Sequence, residues 1–152
     1  MAVKILAIGK KHETWVTDGV DRYEKRLRKP FDVQWQLLPH SARDGDAARA
    51  EESQRVLTKL DARDFVVLLD ERGQNVDSPT VAATLQGAFD AGKPVSVVIG
   101  GAYGVDERVR QRADFVWSLS KLVFPHQLVR LILVEQLYRA QEIAAGRPYH
   151  HV

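Results

Sequence analysis

FVVLLDERGQNVDSPTVAATLQGAFDAGKPVSVVIG, residues 65–100, decides the fold. Residues 65–70, FVVLLD, are apolar without interruption until the final aspartate, the pattern of a strand covered on both faces. Ser78 followed by Pro79 reads as a helix start, a cap and then a first-turn proline. That helix runs to about Ala91, where Gly92 and Pro94 end it. VSVVIG, residues 95–100, is a second fully buried strand. Two such strands joined through a helix form the unit from which parallel sheets are built, since parallel neighbours require a crossover.

The same alternation extends in both directions. Upstream, residues 2–9 (AVKILAIG) form a short buried strand closed by Gly9. Residues 13–29 carry Trp15, Val16, Val20, Tyr23 and Leu27 at helical spacing, and Pro30 stops that helix. FDVQWQLL (31–38) alternates like a strand with one wet face. After the loop HSARDGD (40–46) comes a charged helix, 47–60, with Ala48, Val56, Leu57 and Leu60 inward. Downstream, a short helix near 105–112 precedes the strand DFVWSL (114–119). The last helix spans 127–145, with Leu128, Leu131, Ile132, Glu135, Leu137 and Tyr138 facing inward. The order βαβαβαβαβα defines an α/β domain with a largely parallel sheet and helices on both faces. No linker or internal repeat divides residues 1–152, so a single domain is expected.

Composition narrows the function. The chain has 152 residues, 45% of them hydrophobic and 28% charged, which describes a packed globular protein. The absence of cysteine excludes disulfides, thiolate zinc sites and cysteine nucleophiles. No apolar run approaches the roughly 20 residues of a membrane span, and the N-terminus lacks a cleavage site. A cytoplasmic protein with no membrane partner is expected. The net charge of +2 says little about nucleic acid. Local clustering says more, because Arg22, Lys25, Arg26, Arg28 and Lys29 fall within a short stretch that is either a solvated helix face or a phosphate-contacting patch.

Open parallel sheets bind ligands beyond the carboxyl ends of their strands. Three such ends carry chemistry here: residues 69–73 (LDERG), residues 100–104 (GGAYG) and the loop 119–126. The glycine pair permits close backbone approach, though it is equally the mark of a tight turn. Neither the G-x-G-x-x-G dinucleotide fingerprint nor a phosphate-binding GK[ST] loop is present. Asp70 and Glu71 are adjacent and point to opposite faces of a strand, so they do not readily share a metal. His150 and His151 lack a partner at ligand spacing, and no metal site is expected. Ser118, Ser120 and His126 lie close in sequence without a nucleophile-elbow pattern around them.

Longer strings carry a resemblance. LLDERG (68–73), VIGGAYG (98–104), WSLSKLVFPHQLVRLILVEQLYRA (117–140) and RPYHHV (147–152), together with AIGK, Trp15 and Tyr23-Glu24, are similar to the ribosomal RNA large subunit methyltransferase H family. That family belongs to the SPOUT, or α/β-knot, superfamily, and the similarity spans the whole chain. It implies a C-terminal trefoil knot holding S-adenosylmethionine. It also implies methyl transfer to N3 of a pseudouridine in 23S ribosomal RNA, within the assembled 70S ribosome, by a homodimer with the last helix in its interface. By position, the implied cofactor residues are Leu69, Gly100, Leu119, Ser120, Lys121, Leu122, Val123 and Phe124. Backbone groups on the strand ends would bond the adenine edges, with Leu69, Leu122 and Val123 as apolar walls.

N3–H must lose its proton, and Glu135, Arg139, Tyr149 and His150 are the candidates to act as base or charge stabiliser, with the resemblance and the Tyr149-His150 pair pointing to a tail that closes on the active site. Glu135 and Arg139 are four apart on one helix and able to pair, which would also suit a merely stabilising salt bridge. Arg139 could hold oxygens of the target nucleotide, and His150 is the side chain best suited to proton chemistry near neutral pH. Arg22, Lys25, Arg26 and Arg130 are expected to meet the RNA. A non-catalytic ribosome-associated factor of the same fold is the competing reading. A dehydrogenase is a third, which the missing dinucleotide fingerprint disfavours.

Overall fold

The computed structural model describes residues 2–151. Its elements, in chain order, are β1 (Val3–Ile8), α1 (Thr14–Glu24), β2 (Val33–Leu38), α2 (Gly45–Lys59), β3 (Phe65–Gln74), α3 (Ser78–Asp90), β4 (Val95–Ile99), α4 (Glu107–Arg112), β5 (Phe115–Trp117) and α5 (His126–Ala144). All five strands join one sheet in the order β2-β1-β4-β3-β5, and every pairing is parallel. This is the α/β architecture that the alternating sequence pattern requires.

Strand alternation divides the apolar side chains between two cores. Val3, Ile5 and Ala7 of β1 join Val67 of β3 and Val95, Val97 and Ile99 of β4 beneath α1, α3 and α5. Leu6, Ile8, Val66, Leu68 and Val98 point the other way, onto Val56 of α2 and Val109 of α4. Central strands with both faces covered in this way show no polar alternation, which is why 65–69 and 95–99 read as unbroken apolar runs. Ser96 is the exception in β4, buried with its hydroxyl donating to Asp64 at 3.1 Å.

Several boundaries differ from the sequence reading. α1 stops at Glu24, before Pro30; the amides of Arg26 and Leu27 bond back three residues to Tyr23 and Glu24, tightening the chain into a turn that buries Leu27. The basic residues of 22–29 are therefore split between a helix end and a turn. β3 continues to Gln74, with an irregularity between Leu69 and Gln74 opposite Trp117. In α2 the buried set is Ala48, Glu52, Ser53 and Val56, while Leu57 and Leu60 are half-buried. In α5 the buried residues include Arg130, Leu133, Val134, Leu137 and Tyr138, whereas Leu128, Leu131, Ile132 and Glu135 are only half-buried. The inward stripe of α5 thus sits a position or two from the one expected. Among the described residues, no helix is long and apolar enough to cross a membrane.

Candidate active site

Seven of the eight residues singled out for the cofactor line one cavity of about 490 Å³ at the carboxyl ends of β3, β4 and β5: Leu69, Gly100, Leu119, Ser120, Leu122, Val123 and Phe124. Lys121 is exposed and absent from the lining. The volume falls within the range of small-molecule sites. Three chain segments shape it. The 118–124 loop is folded by its own serines, since Ser118 Oγ donates to the Ser120 carbonyl at 2.9 Å and the Leu122 amide donates to Ser120 Oγ at 3.0 Å. This leaves Leu122 and Val123 among the most exposed large apolar side chains of the molecule, at 69% and 77%.

The 100–104 segment is shaped from below by α2. Gly104 donates its amide to the Gly101 carbonyl at 3.0 Å. Glu52 lies buried beneath, so close that a Cβ at Gly101 would fall 2.5 Å from its Oε1. Ser53 Oγ accepts the Asp106 amide at 2.9 Å and fixes the exit of the segment.

The third segment follows Leu69. Asp70 receives the Arg72 amide at 2.9 Å and pairs with the guanidinium groups of both Arg72 and Arg110. Burial works against its charge, but these donors outweigh it and hold the carboxyl below the ordinary aspartate range. Asp70 and Glu71, from the 69–73 strand end singled out in the sequence, both line the cavity, as do His126 from the 119–126 loop and Trp117 just before it. Of these, Trp117 alone lies outside the three strand ends named from sequence; the pairing of β5 with β3 brings it in.

Glu135, Arg139, Tyr149 and His150 come together at one point. Arg139 Nη2 donates to Glu135 Oε2 at 2.7 Å, and the Tyr149 hydroxyl donates to the same oxygen at 2.9 Å. Arg139 Nη1 lies 3.0 Å from His150 Nδ1, and its guanidinium stacks 4.8 Å over the Tyr149 ring. The tail is anchored one turn earlier, where Arg147 pairs with Glu142 at 2.7 Å. Burial, and then the bond to Glu135, raise the Tyr149 hydroxyl well above the ordinary tyrosine range, so it stays protonated and donates. An arginine has only donors, so His150 Nδ1 must accept and its ring proton sits on Nε2. Glu135 Oε1 also accepts from Gln136 Nε2 at 2.8 Å.

This cluster does not line the 490 Å³ cavity. His150 instead lines a neighbouring cavity of about 470 Å³ with Gln136, Ser78 and His151, and the two cavities share Trp117 and Leu119. One placement differs from the expectation of an exposed base. Arg130, placed among the surface bases that meet RNA, is 1% exposed, because its side chain folds inward from α5 onto the β1–α1 loop.

A wholly parallel sheet with helices on both faces and a cavity of small-molecule size at its strand ends defines an open-sheet α/β protein, the class in which ligands bind beyond the carboxyl ends of the strands. Comparison gives the family. Residues 1–150 match the sequence model described as "Predicted SPOUT methyltransferase". The chain is 42% identical to the ribosomal RNA large subunit methyltransferase H of Geobacter metallireducens over 154 residues, covering 99% of each. It is 38% identical to the protein of the same name in Geobacter sulfurreducens, covering 99% of this chain and 100% of that one. With that of Methylobacillus flagellatus it shares 37% identity over 99% of each. The chain belongs to the SPOUT methyltransferase family.

Proposed function

We propose that this protein transfers the methyl group of S-adenosylmethionine to N3 of a pseudouridine in 23S ribosomal RNA, within the assembled 70S ribosome. In this reading it works in the cytoplasm as a single-domain, knotted homodimer. The observation that carries the reading is the convergence of the seven lining residues on one cavity of suitable size. Its relatives, by name, are methyltransferases of large-subunit ribosomal RNA. The chemistry of the walls fits the cofactor: strand-end backbone at Leu69 and Gly100 offers polar groups to an adenine edge, while Leu122, Val123 and Phe124 offer apolar cover. Bound there, S-adenosylmethionine supplies an electrophilic methyl on a sulfonium.

The residues of the chain then have to hold the acceptor base in line, keep water out and manage the N3 proton. The second cavity, which touches the first along Trp117 and Leu119, is the entry for the base. Glu135 and Tyr149 fix the Arg139 guanidinium, and Arg139 fixes the His150 tautomer. His150 thereby presents an Nε2–H to a carbonyl oxygen of the base and stabilises the anion that forms when the N3 proton passes to solvent water, before the methyl is transferred to N3. Exposed Arg22, Lys25 and Arg26 contribute phosphate contacts to the RNA.

The test is transfer of labelled methyl from S-adenosylmethionine to 70S ribosomes lacking the modification, with free rRNA and separate subunits in parallel. Formation of 3-methylpseudouridine on 70S ribosomes alone, identified by mass spectrometry, is the expected result. Binding of cofactor and ribosome without any transfer would instead establish a non-catalytic ribosome-associated factor.

A further inference from the structure

The strand order sets a second feature beside the cofactor cavity. β1 leads into α1 on one face of the sheet, and its neighbour β4 leads into α4 on the other. The winding therefore reverses between these two strands, and open sheets bind ligands in the crevice beyond such a reversal. Here the crevice lies past Gly9 and Gly101.

Side chains from separate elements meet over Gly9. A Cβ at this glycine would lie 3.3 Å from Arg130 Nη2 and 3.4 Å from His40 Cε1, and its φ of +134° is one that other residues rarely adopt. Arg130 Nη1 donates to the Lys10 carbonyl at 2.8 Å and lies 3.2 Å from His12 Nδ1. The guanidinium is 1% exposed, its Nε has no hydrogen-bond partner, and no carboxylate pairs with it among the described residues. A buried cation without a counter-charge is unfavourable, and removing it from solvent is not offset here by any ion pair.

The groups nearest Arg130 are donors, while two carboxylates, Asp21 on the His12 side and the buried Glu52 with an unpartnered Oε1 on the His126 side, face the site without pairing with Arg130. Because arginine can only donate, His12 Nδ1 accepts and its Nε2–H is left as a donor. Lys10 and His40 are exposed at the rim. Glu52 sits on the Gly101 side, where its Oε2 accepts the Ser41 amide at 2.9 Å. Among the described residues there is no group of three or more side chains suited to a metal ion, and a cation would face Arg130.

Building on the proposed RNA methylation, we propose that this crevice binds a backbone phosphate of the RNA strand beside the target nucleotide. Arg130 supplies the positive field from beneath, and His12, His40 and Lys10 supply the contacts. Gly101 lines the cofactor cavity and packs against Ile8, the residue before Gly9, so a phosphate held here sets the distance of its strand from the methyl donor.

The test follows the imidazole Cε1–H signals of the full-length protein by NMR. Inorganic phosphate and a short oligoribonucleotide are titrated separately against the wild type and a Lys10→Ala/His40→Ala double variant. The His12 and His40 signals are expected to shift with both probes, at far lower concentration with the oligoribonucleotide. The double variant is expected to bind ribosomes about tenfold more weakly, with a salt slope smaller by about 1, and to bind S-adenosylmethionine unchanged. Arg130→Lys should retain part of the response and Arg130→Met none, with circular dichroism confirming that each is folded.

No histidine response to either probe would overturn the site, as would a response that the double variant preserves. Equal affinity for phosphate and oligoribonucleotide would overturn the RNA assignment and leave a free-phosphate site. Methyl transfer is read independently. A crevice that responds to oligoribonucleotide in a protein that transfers no methyl would stand while the proposed function fell; transfer at wild-type KM by the double variant would give the reverse.

Discussion

Arg139 donates in two directions at once, to a carboxylate and to an imidazole, and the second bond decides what His150 can do. With Nδ1 engaged by a permanent donor, the ring offers an N–H and not a lone pair. Substitution separates these two roles. His150→Gln keeps an N–H donor and should retain a measurable part of the methyl-transfer rate. His150→Ala should lose about 10²–10³-fold in kcat, the usual effect of removing one preorganised donor. If the glutamine variant is as slow as the alanine variant, with the pH profile flattened in both, His150 acts as a base and the tautomer argument is wrong. Arg139→Lys tests the same geometry from the other side. A lysine cannot reach Glu135 and His150 as a fork does, so kcat should fall at least about tenfold with little change in cofactor affinity. The pairing of Glu135 with Arg139 was legible from their spacing of four. The closure of Tyr149 and His150 onto that pair was suggested by the family resemblance and not by spacing, because tail residues 14 and 11 positions away carry no local signal of where they pack.

At the scale of elements, α2 illustrates a function hidden inside an ordinary pattern. Its sequence reads as a charged surface helix, yet Glu52 and Ser53 are buried and hold the 100–106 segment in place. Gly101→Ala should therefore destabilise the protein by roughly 1–3 kcal/mol, the range for overpacking, because Glu52 is tethered to the Ser41 amide and cannot swing clear. Glu52→Asp, which withdraws the carboxylate, should relieve part of that loss in the double variant, a coupling visible in a denaturation cycle. Additive losses would show that the contact is not the cause.

The β1–α1 loop gives a second test at this scale. Burial first, then Arg130, hold His12 below the ordinary histidine range, with Asp21 opposing; His126 is lowered by burial, then by Arg130 and His40, against the Gly100 carbonyl and Glu52. A depressed histidine binds fewer protons folded than unfolded, so stability rises with pH through this window. The penalty is absent well above 6.5, sets in as pH falls past it and is complete below the folded values. Tm should accordingly drop between about pH 7 and pH 5, less steeply in His12→Gln. An equally steep fall in that variant would assign the effect to other groups.

For the whole molecule, period and punctuation fixed the sheet, since buried strands and helix stops are local in the chain. Strand order, the switch between β1 and β4 and the shared wall of the two cavities depend on crossovers that no window of sequence contains. Cofactor choice is the property that integrates these parts, because three strand ends and two loops must all be in place before the cavity exists. A ligand that binds only the native state raises stability by RT ln(1 + [L]/Kd), about 2.7 kcal/mol at one hundred times Kd. For a chain of this length that is a rise in Tm of roughly 6–10 °C. S-adenosylmethionine should produce it and NAD should not, since the G-x-G-x-x-G turn that receives a dinucleotide is missing from every strand end. Leu69→Arg would thrust a charged side chain into the cavity wall and should abolish the shift while leaving the β1–β4 crevice intact. A shift with NAD, or one with S-adenosylmethionine that survives Leu69→Arg, would move the cofactor out of this cavity and with it the proposed order of cofactor, base and phosphate along the strand ends.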